Sequence, residues 1–209
     1  MSLERFSLRG RVVHLEPMEL GHVEGLVAAS AVKPSLYEWS AVPLGREATV
    51  RYVDSALALR DAGTAVPFAI VSATSGVVIG STRFFDMERW AWPLGHPRHG
   101  GGGCDVCEIG YTWFTRDAVR TGANTEAKLL MLMHAFEVWD VLRVCLHTDE
   151  RNERSRRAME RMGGRFEGIL SAHRLAVDNT PRNSARYAIT AAEWPEVKAR
   201  LLWLRDKYD

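Results

Sequence analysis

Two short runs rich in β-branched and aromatic residues, EIGYTWF at 108–114 and RVCLHTD at 143–149, flank one long helical pattern, NTEAKLLMLMHAFEVWD. If the runs are neighbouring strands, the single helix between them makes them parallel and the crossover right-handed. That unit constrains the fold more than any other feature of the chain. The helix is apolar at Ala127, Leu130, Met131, Ala135 and Val138 and again at Leu129, Leu132, Met133 and Phe136. So wide an apolar surface means packing on most sides, with the methionines as core filler and His134 as a buried histidine.

The rest of the pattern fills in around this unit. RVVHLEPM (11–18) reads as a strand, and LGHVEGLVAAS as a helix with Leu20, Val23, Leu26 and Val27 on one face. The loop VKPSLYEWSAVPLG carries two aromatics, Tyr37 and Trp39. EATVRYVDSALALRDAG is a second helix, ended by Gly63. PFAIVSA and VVIGSTRFFDM make an antiparallel hairpin across TSG. From 88 to 107 proline and glycine abolish any period, and a long surface loop is expected. ERSRRAMERM is a helix, RFEGILSAHRLA and SARYAIT are strands, and a closing helix runs over about 193–207. The order describes one α/β domain over residues 1–209.

Composition narrows the partners. With 27 basic and 26 acidic residues and a net charge of +1, the chain is not built as a dedicated nucleic-acid binder. No apolar run of eighteen residues occurs, so no membrane partner is expected. The opening MSLERFSLRGRVV is charged where a secretion signal would be apolar, which points to the cytoplasm. Three cysteines are too few for a disulfide framework.

Between the first strand of the central unit and its helix stands TRDAVRTGAN. Gly122 permits close backbone approach or a positive φ, and Asn124 or Thr125 can cap the first turn. The outward-pointing amides of such a helix start carry roughly half a positive charge and attract anions. Arg120 and Arg116 would add to it. By motif alone this segment is more often an ordinary connection, since it lacks the three-glycine dinucleotide fingerprint and the Lys-Ser/Thr of a nucleotide loop.

Taken together, EIGYTW, RTGANTEAKLLMLMHAF and the NERS of TDERNERSRRAMERMGGRFEG resemble the GNAT superfamily of N-acetyltransferases, most closely its RimJ/RimL-type branch, which acetylates protein N-terminal amines. The likeness runs over about residues 8–190 and is most specific from Glu108 to Gly168. It implies a mixed, mostly antiparallel seven-stranded sheet with a splayed central parallel pair. It implies acetyl-CoA as donor, with Arg120, Thr121, Gly122, Ala123, Asn124 and Thr125 cradling its pyrophosphate. The pantetheine arm would pair with the backbone of Tyr111, Thr112, Trp113 and Phe114, where an N–H would polarise the thioester carbonyl. Asn152 is carried over as a binder of the arm and Ser155 as proton donor to the thiolate, although both types also suit a helix start. The loop departs from the family's usual Gln/Arg-x-x-Gly-x-Gly/Ala: Val119 stands first and Asn124 last.

Acetyl transfer to an amine needs an unprotonated nucleophile. At pH 7 deprotonation costs about 1 kcal/mol for a protein α-amine and about 5 for a lysine, so a weak base suffices for the former. Glu108 is the candidate base, although a carboxylate at a strand end can equally be a solvated one. Strict alternation would put Glu108, Gly110, Thr112 and Phe114 on one face and Ile109, Tyr111 and Trp113 on the other. Tyr37 and Trp39 line the acceptor cleft or pack at its rim. The expected reaction is acetyl transfer to a primary amine, foremost a protein N-terminus. A small-molecule amine acetyltransferase and an acyl-CoA-binding module without turnover are the alternatives, and a homodimer is compatible with either.

HPRHGGGGCDVC offers His96, His99, Cys104 and Cys107, soft ligands that suit zinc. The His-x-x-His spacing is tighter than usual. A mobile loop that lids the acceptor site is the first expectation for this segment, and a zinc knuckle the second.

Overall fold

The computed structural model describes residues 5–31, 37–101 and 103–207. Residues 32–36 of the aromatic loop and Gly102 of the glycine run lie outside the described residues. Strands β1 (Leu8–Arg9), β2 (Val13–Pro17), β3 (Ala65–Ser72), β4 (Val78–Glu88), β5 (Val106–Phe114), β6 (Arg143–Asp149), β7 (Arg165–Leu175) and β8 (Pro181–Thr190) form one sheet in the order β1-β2-β3-β4-β5-β6-β8-β7. Five helices flank it: α1 (Val23–Ser30), α2 (Arg46–Asp61), α3 (Ala123–Met133), α4 (Glu153–Met162) and α5 (Trp194–Asp206). Among the described residues no helix is long and apolar enough to cross a membrane.

The mixed sheet and its parallel centre agree with expectation, but there are eight strands instead of seven. The extra one is β1, two residues that turn back on β2 through a bond from Gly10 N–H to Val13 O (2.9 Å) and are too short to show a period. β5 starts two residues earlier than EIGYTWF, so the long loop closes at Asp105. α3 ends at Met133, where a wider π turn, His134–Val138, takes over from the expected continuous helix.

α3, α4 and α5 pack on one face of the sheet around Phe68, Phe84, Ile109, Leu129, Met131 and Leu201. α1 and α2 cover the other face over β3 and β4, around Met18, Leu26, Val53 and Trp113. β3 is buried along nearly its whole length because both faces are covered, which is why AVPFAIVS reads as a continuous apolar run instead of an alternating one.

Two irregularities shape the centre. β5 and β6 pair in parallel at Val106–Arg143, Cys107–Val144 and Glu108–Cys145 and then part, so the β6-facing backbone of residues 109–114 is left out of the ladder. On its other side β5 carries a bulge against β4. Arg83 faces Gly110 and Ser81 faces Trp113, one residue more on β5 than on β4, and Tyr111 takes φ +52°. The bulge corrects the strict alternation. Tyr111 joins Gly110 on the Glu108 face, Phe114 joins Ile109 in the α3-side core, and Trp113 packs under α1 and α2.

The bulge is held from α3. Lys128 is buried, and its Nζ donates to Thr112 Oγ1 (2.6 Å), which lies 2.8 Å from Thr82 Oγ1. Burial pushes the Lys128 ammonium down to about 7. α3 is itself stapled to the start of β2. The buried Glu126 carboxylate accepts from the amides of Arg11 (3.0 Å), Val12 (2.6 Å) and Val13 (2.8 Å), and a Cβ on Gly10 would collide with it.

Candidate active site

The parted strands leave a notch whose floor is Glu108. This side chain is only 4% exposed, and its Oε2 lies 2.8 Å from Arg174 Nη2 on β7 and 2.9 Å from His147 Nδ1 on β6. Arg174 also holds Asp86 at 2.6 Å. The His147 contact has ion-pair distance without hydrogen-bond alignment, so a small ring rotation makes or breaks it. His173 lies next to His147, with ring centroids 4.8 Å apart. Its pKa is lowered by burial first and then by the charges of His147 and Arg174.

The sequence reading singled out Glu108 and missed His147, His173 and Arg174. One signal was available. RVCLHTD places a histidine on the strand expected beside EIGYTWF, and alternation from the apolar Val144 and Leu146 turns it away from the α3 core.

At the head of the notch, α3 begins with Gly122 as N-cap, and the positive φ falls on Arg120 (+65°) instead of Gly122 (−65°). The capping hydroxyl is that of Thr121, which donates to Ala118 O (2.7 Å) and accepts from Ala123 N–H (3.2 Å). Asn124 and Thr125 lie inside the helix and do not cap it. Glu126 N–H donates to Gly122 O, while the amides of Asn124 and Thr125 find no acceptor among the described residues. Arg120 is exposed, and Arg161 of α4 reaches over to Thr125 Oγ1 (3.3 Å). Unpaired amides, the helix dipole and two nearby arginines suit a diphosphate.

Asn152 is the N-cap of α4 and accepts from Ser155 N–H (3.1 Å). Ser155 is half-buried, and its hydroxyl has no partner among the described residues. Tyr37 is buried; it donates to Phe114 O (3.0 Å) and packs edge-on to Trp113. Trp39 stands under the Arg151 guanidinium (4.3 Å), just beyond the end of β6. The loop between α1 and α2 thus touches the carboxyl ends of both parted strands.

The 89–105 loop is organised by Asp105, whose carboxylate accepts from Trp90 N–H (2.8 Å), Trp92 Nε1 (2.9 Å) and Arg98 Nη1 (3.4 Å). His96 stacks on Trp92, His99 Nδ1 lies 2.7 Å from Trp92 O, and Cys104 and Cys107 are buried beside β5. The four zinc candidates are not drawn together. Among the described residues no group of three or more His, Cys, Asp or Glu side chains is placed to hold a metal ion.

A split parallel pair, a bulged β5 and an unpaired helix start at its head suit an extended, anionic ligand, and comparison with known proteins shows the family. The model of the acetyltransferase (GNAT) domain matches residues 13–165. The chain belongs to the GNAT acetyltransferase family. It is an acetyl-CoA-dependent N-acetyltransferase. The fold is similar to that of a GCN5-related N-acetyltransferase from Brucella melitensis, 29% identical, with a TM-score of 0.81 over 98% of this chain and 87% of that one. A candidate acetyltransferase from T. thermophilus is 31% identical, with a TM-score of 0.77 over 97% and 98%. RimJ of Mycobacterium smegmatis, solved with a CoA disulfide, is 23% identical, with a TM-score of 0.75 over 96% and 93%. No functionally curated protein matches the chain.

Proposed function

We propose that this GNAT enzyme acetylates a protein N-terminal α-amine, with the Glu108–His147 pair taking the proton. The observation that carries the reading is the composition of the notch floor. A buried carboxylate, its charge matched by Arg174, touches an imidazole whose second nitrogen, Nε2, has no hydrogen-bond partner among the described residues. Such a pair is a mild base. It is adequate for an α-amine, where deprotonation at pH 7 costs about 1 kcal/mol, and poorly matched to a lysine at about 5.

The donor lies along Tyr111, Thr112, Trp113 and Phe114, whose β6-facing backbone groups are released by the split. Its diphosphate meets the amides of Arg120 to Thr125 and the side chains of Arg120 and Arg161. Asn152 fixes the first turn of α4, which presents the Ser155 hydroxyl as proton donor to the departing thiolate. Trp39 and the backbone near Tyr37 bound the acceptor side. Attack is direct, with both reactants held in line, so most of the rate gain comes from positioning and the oxyanion contact. The three unpaired cysteines suit the cytoplasm.

The test is release of free CoA thiol with three acceptor sets: peptides with free N-termini, N-blocked peptides carrying lysine, and small polyamines. Turnover confined to the first set supports the reading. Preference for the lysine or polyamine set overturns it.

A further inference from the structure

Arg83 sits on β4 opposite Gly110, facing the same side as Glu108, and is 2% exposed. Its guanidinium lies between two tyrosine rings, 3.9 Å from the centroid of Tyr111 and 5.2 Å from that of Tyr52 on α2. Among the described residues no carboxylate stands within ion-pair distance of it, and its buried Nε has no acceptor.

Several other arginines of this face are matched. Arg174 has Asp86 and Glu108, Arg143 and Arg186 share Glu167, and Arg151 has Asp149 and Asp178. Glu108, on the same face of the neighbouring strand, is already taken by Arg174 and lies against His147. Arg182 of β8 is a second cation without a carboxylate at ion-pair distance. Its Nε donates to Ser184 Oγ (2.9 Å), and burial together with repulsion from Arg174 weakens its hold on its proton. The charges of Glu108 and Asp149 act in the opposite direction and favour its charged form.

A guanidinium taken out of water and left without an anion costs the fold far more than two aromatic faces return. Nothing in the packing explains its retention. The Phe85 ring lies over Gly110, where a Cβ would stand 2.8 Å from it, and Tyr111, 44% exposed and placed by the bulge, is the solvent-exposed ring stacked on Arg83.

We propose that Arg83 is the anion-binding element of the acceptor subsite, so that the preferred acceptor is a primary amine carrying a carboxylate close to it. This rests on the amine-acetylating reading above and specifies its substrate class. The carboxylate belongs either to an Asp or Glu next to a peptide N-terminus or to a free amino-acid-sized molecule. In both cases it reaches the guanidinium past the Tyr111 ring and supplies the missing charge, while the amine is directed to the Glu108–His147 pair.

The test compares matched acceptors that differ only in that charge: Ser-Glu and Ser-Asp peptides against Ser-Gln and Ser-Asn, and the α-amide of glutamate against glutamine amide. Each is measured by turnover and by calorimetric binding to enzyme saturated with desulfo-CoA. The carboxylate form is expected to bind about ten- to a hundredfold more tightly, with the gain appearing in KM. Arg83→Gln should bring that ratio close to one and leave the KM for acetyl-CoA unchanged, while Arg83→Lys keeps part of it. A preference restricted to the peptides identifies the side chain as the source, and one restricted to the free molecules identifies the small acid.

Equal binding of carboxylate and amide forms to the wild type overturns the subsite even if every peptide is acetylated. So does a ratio that survives Arg83→Gln. Selective binding without any peptide acetylation would instead defeat the N-terminal reading and leave the subsite standing. Because the wild-type ratio decides by itself, the proposal stays testable if the Arg83 variants fail to fold.

Discussion

A carboxylate and an imidazole are drawn away from water on the α3 side of the sheet, and another of each at the strand split. Glu126 is satisfied by three backbone amides of β2's approach, fixed donors with nowhere else to go. Glu108 is held by side chains: Arg174 donates to it, and His147 lies at ion-pair distance without hydrogen-bond alignment. His134 lies in an aromatic cage, 4.0 Å from Phe6 and 4.8 Å from Trp139, whereas His147 lies against Glu108 and His173. The same residue types thus close a structure in one region and leave chemistry available in the other. The kind of partner separates the two roles, because burial is common to both.

The comparison breaks first at Glu108. Glu108→Gln keeps the shape and removes the negative charge, and kcat/KM is expected to fall on the order of a hundred- to a thousandfold with little change in Tm. His147→Asn should fall similarly. If either variant turns over like wild type in steady-state kinetics, the split is only a structural pairing. Glu126→Ala should do the reverse. Three amides lose a charged acceptor, so urea denaturation should show a loss of about 2–4 kcal/mol, with kcat/KM per folded molecule unchanged.

The helix start and α4 sharpen the contrast with smaller effects. A bulky residue at Gly122 crowds the open amides of α3 and should weaken acetyl-CoA binding by about tenfold in calorimetry. Turnover at saturating donor should be retained. Unchanged affinity would remove the cradle from residues 120–125. Ser155→Ala should lower kcat several-fold more than it raises the Kd for acetyl-CoA; equal losses would make Ser155 a binding residue.

How much of this was legible follows from where the signal lives. β6 and α4 were readable to the residue, because RVCLHTD is a short apolar run between polar ends and ERSRRAMERM is bounded by an Asn cap and by Gly163 at φ +104°. The bulge at Tyr111 was not. An inserted residue leaves no mark in a short aromatic strand, and only pairing with β4 reveals that Tyr111 and Gly110 share a face. Glu108 stood out as a carboxylate at the start of a strand, but its partners come from β6 and β7, 39 and 66 residues further along. Arg83 was invisible for the same reason. In sequence it is one basic residue in a strand, and its lack of an anion is a fact about the whole neighbourhood.

The smallest effect concerns His134, the α3-side imidazole. Burial lowers its pKa from 6.5 to about 4, and its Nε2 has no acceptor. In the unfolded chain the ring takes up a proton near 6.5, while in the folded enzyme it stays neutral until about 4. Between those values the unfolded state binds more protons, so stability is full above 6.5 and declines as pH falls toward 4. His173, lowered in the same direction, adds to the decline. His134→Phe keeps the aromatic stack and removes the titration, so the drop in Tm between pH 7 and pH 4.5 should become shallower without a change in kcat at neutral pH. An unaltered slope would mean that the cage admits the charged ring. An altered kcat would mean that the α3 side is not purely structural, and the division between the two regions would then fail.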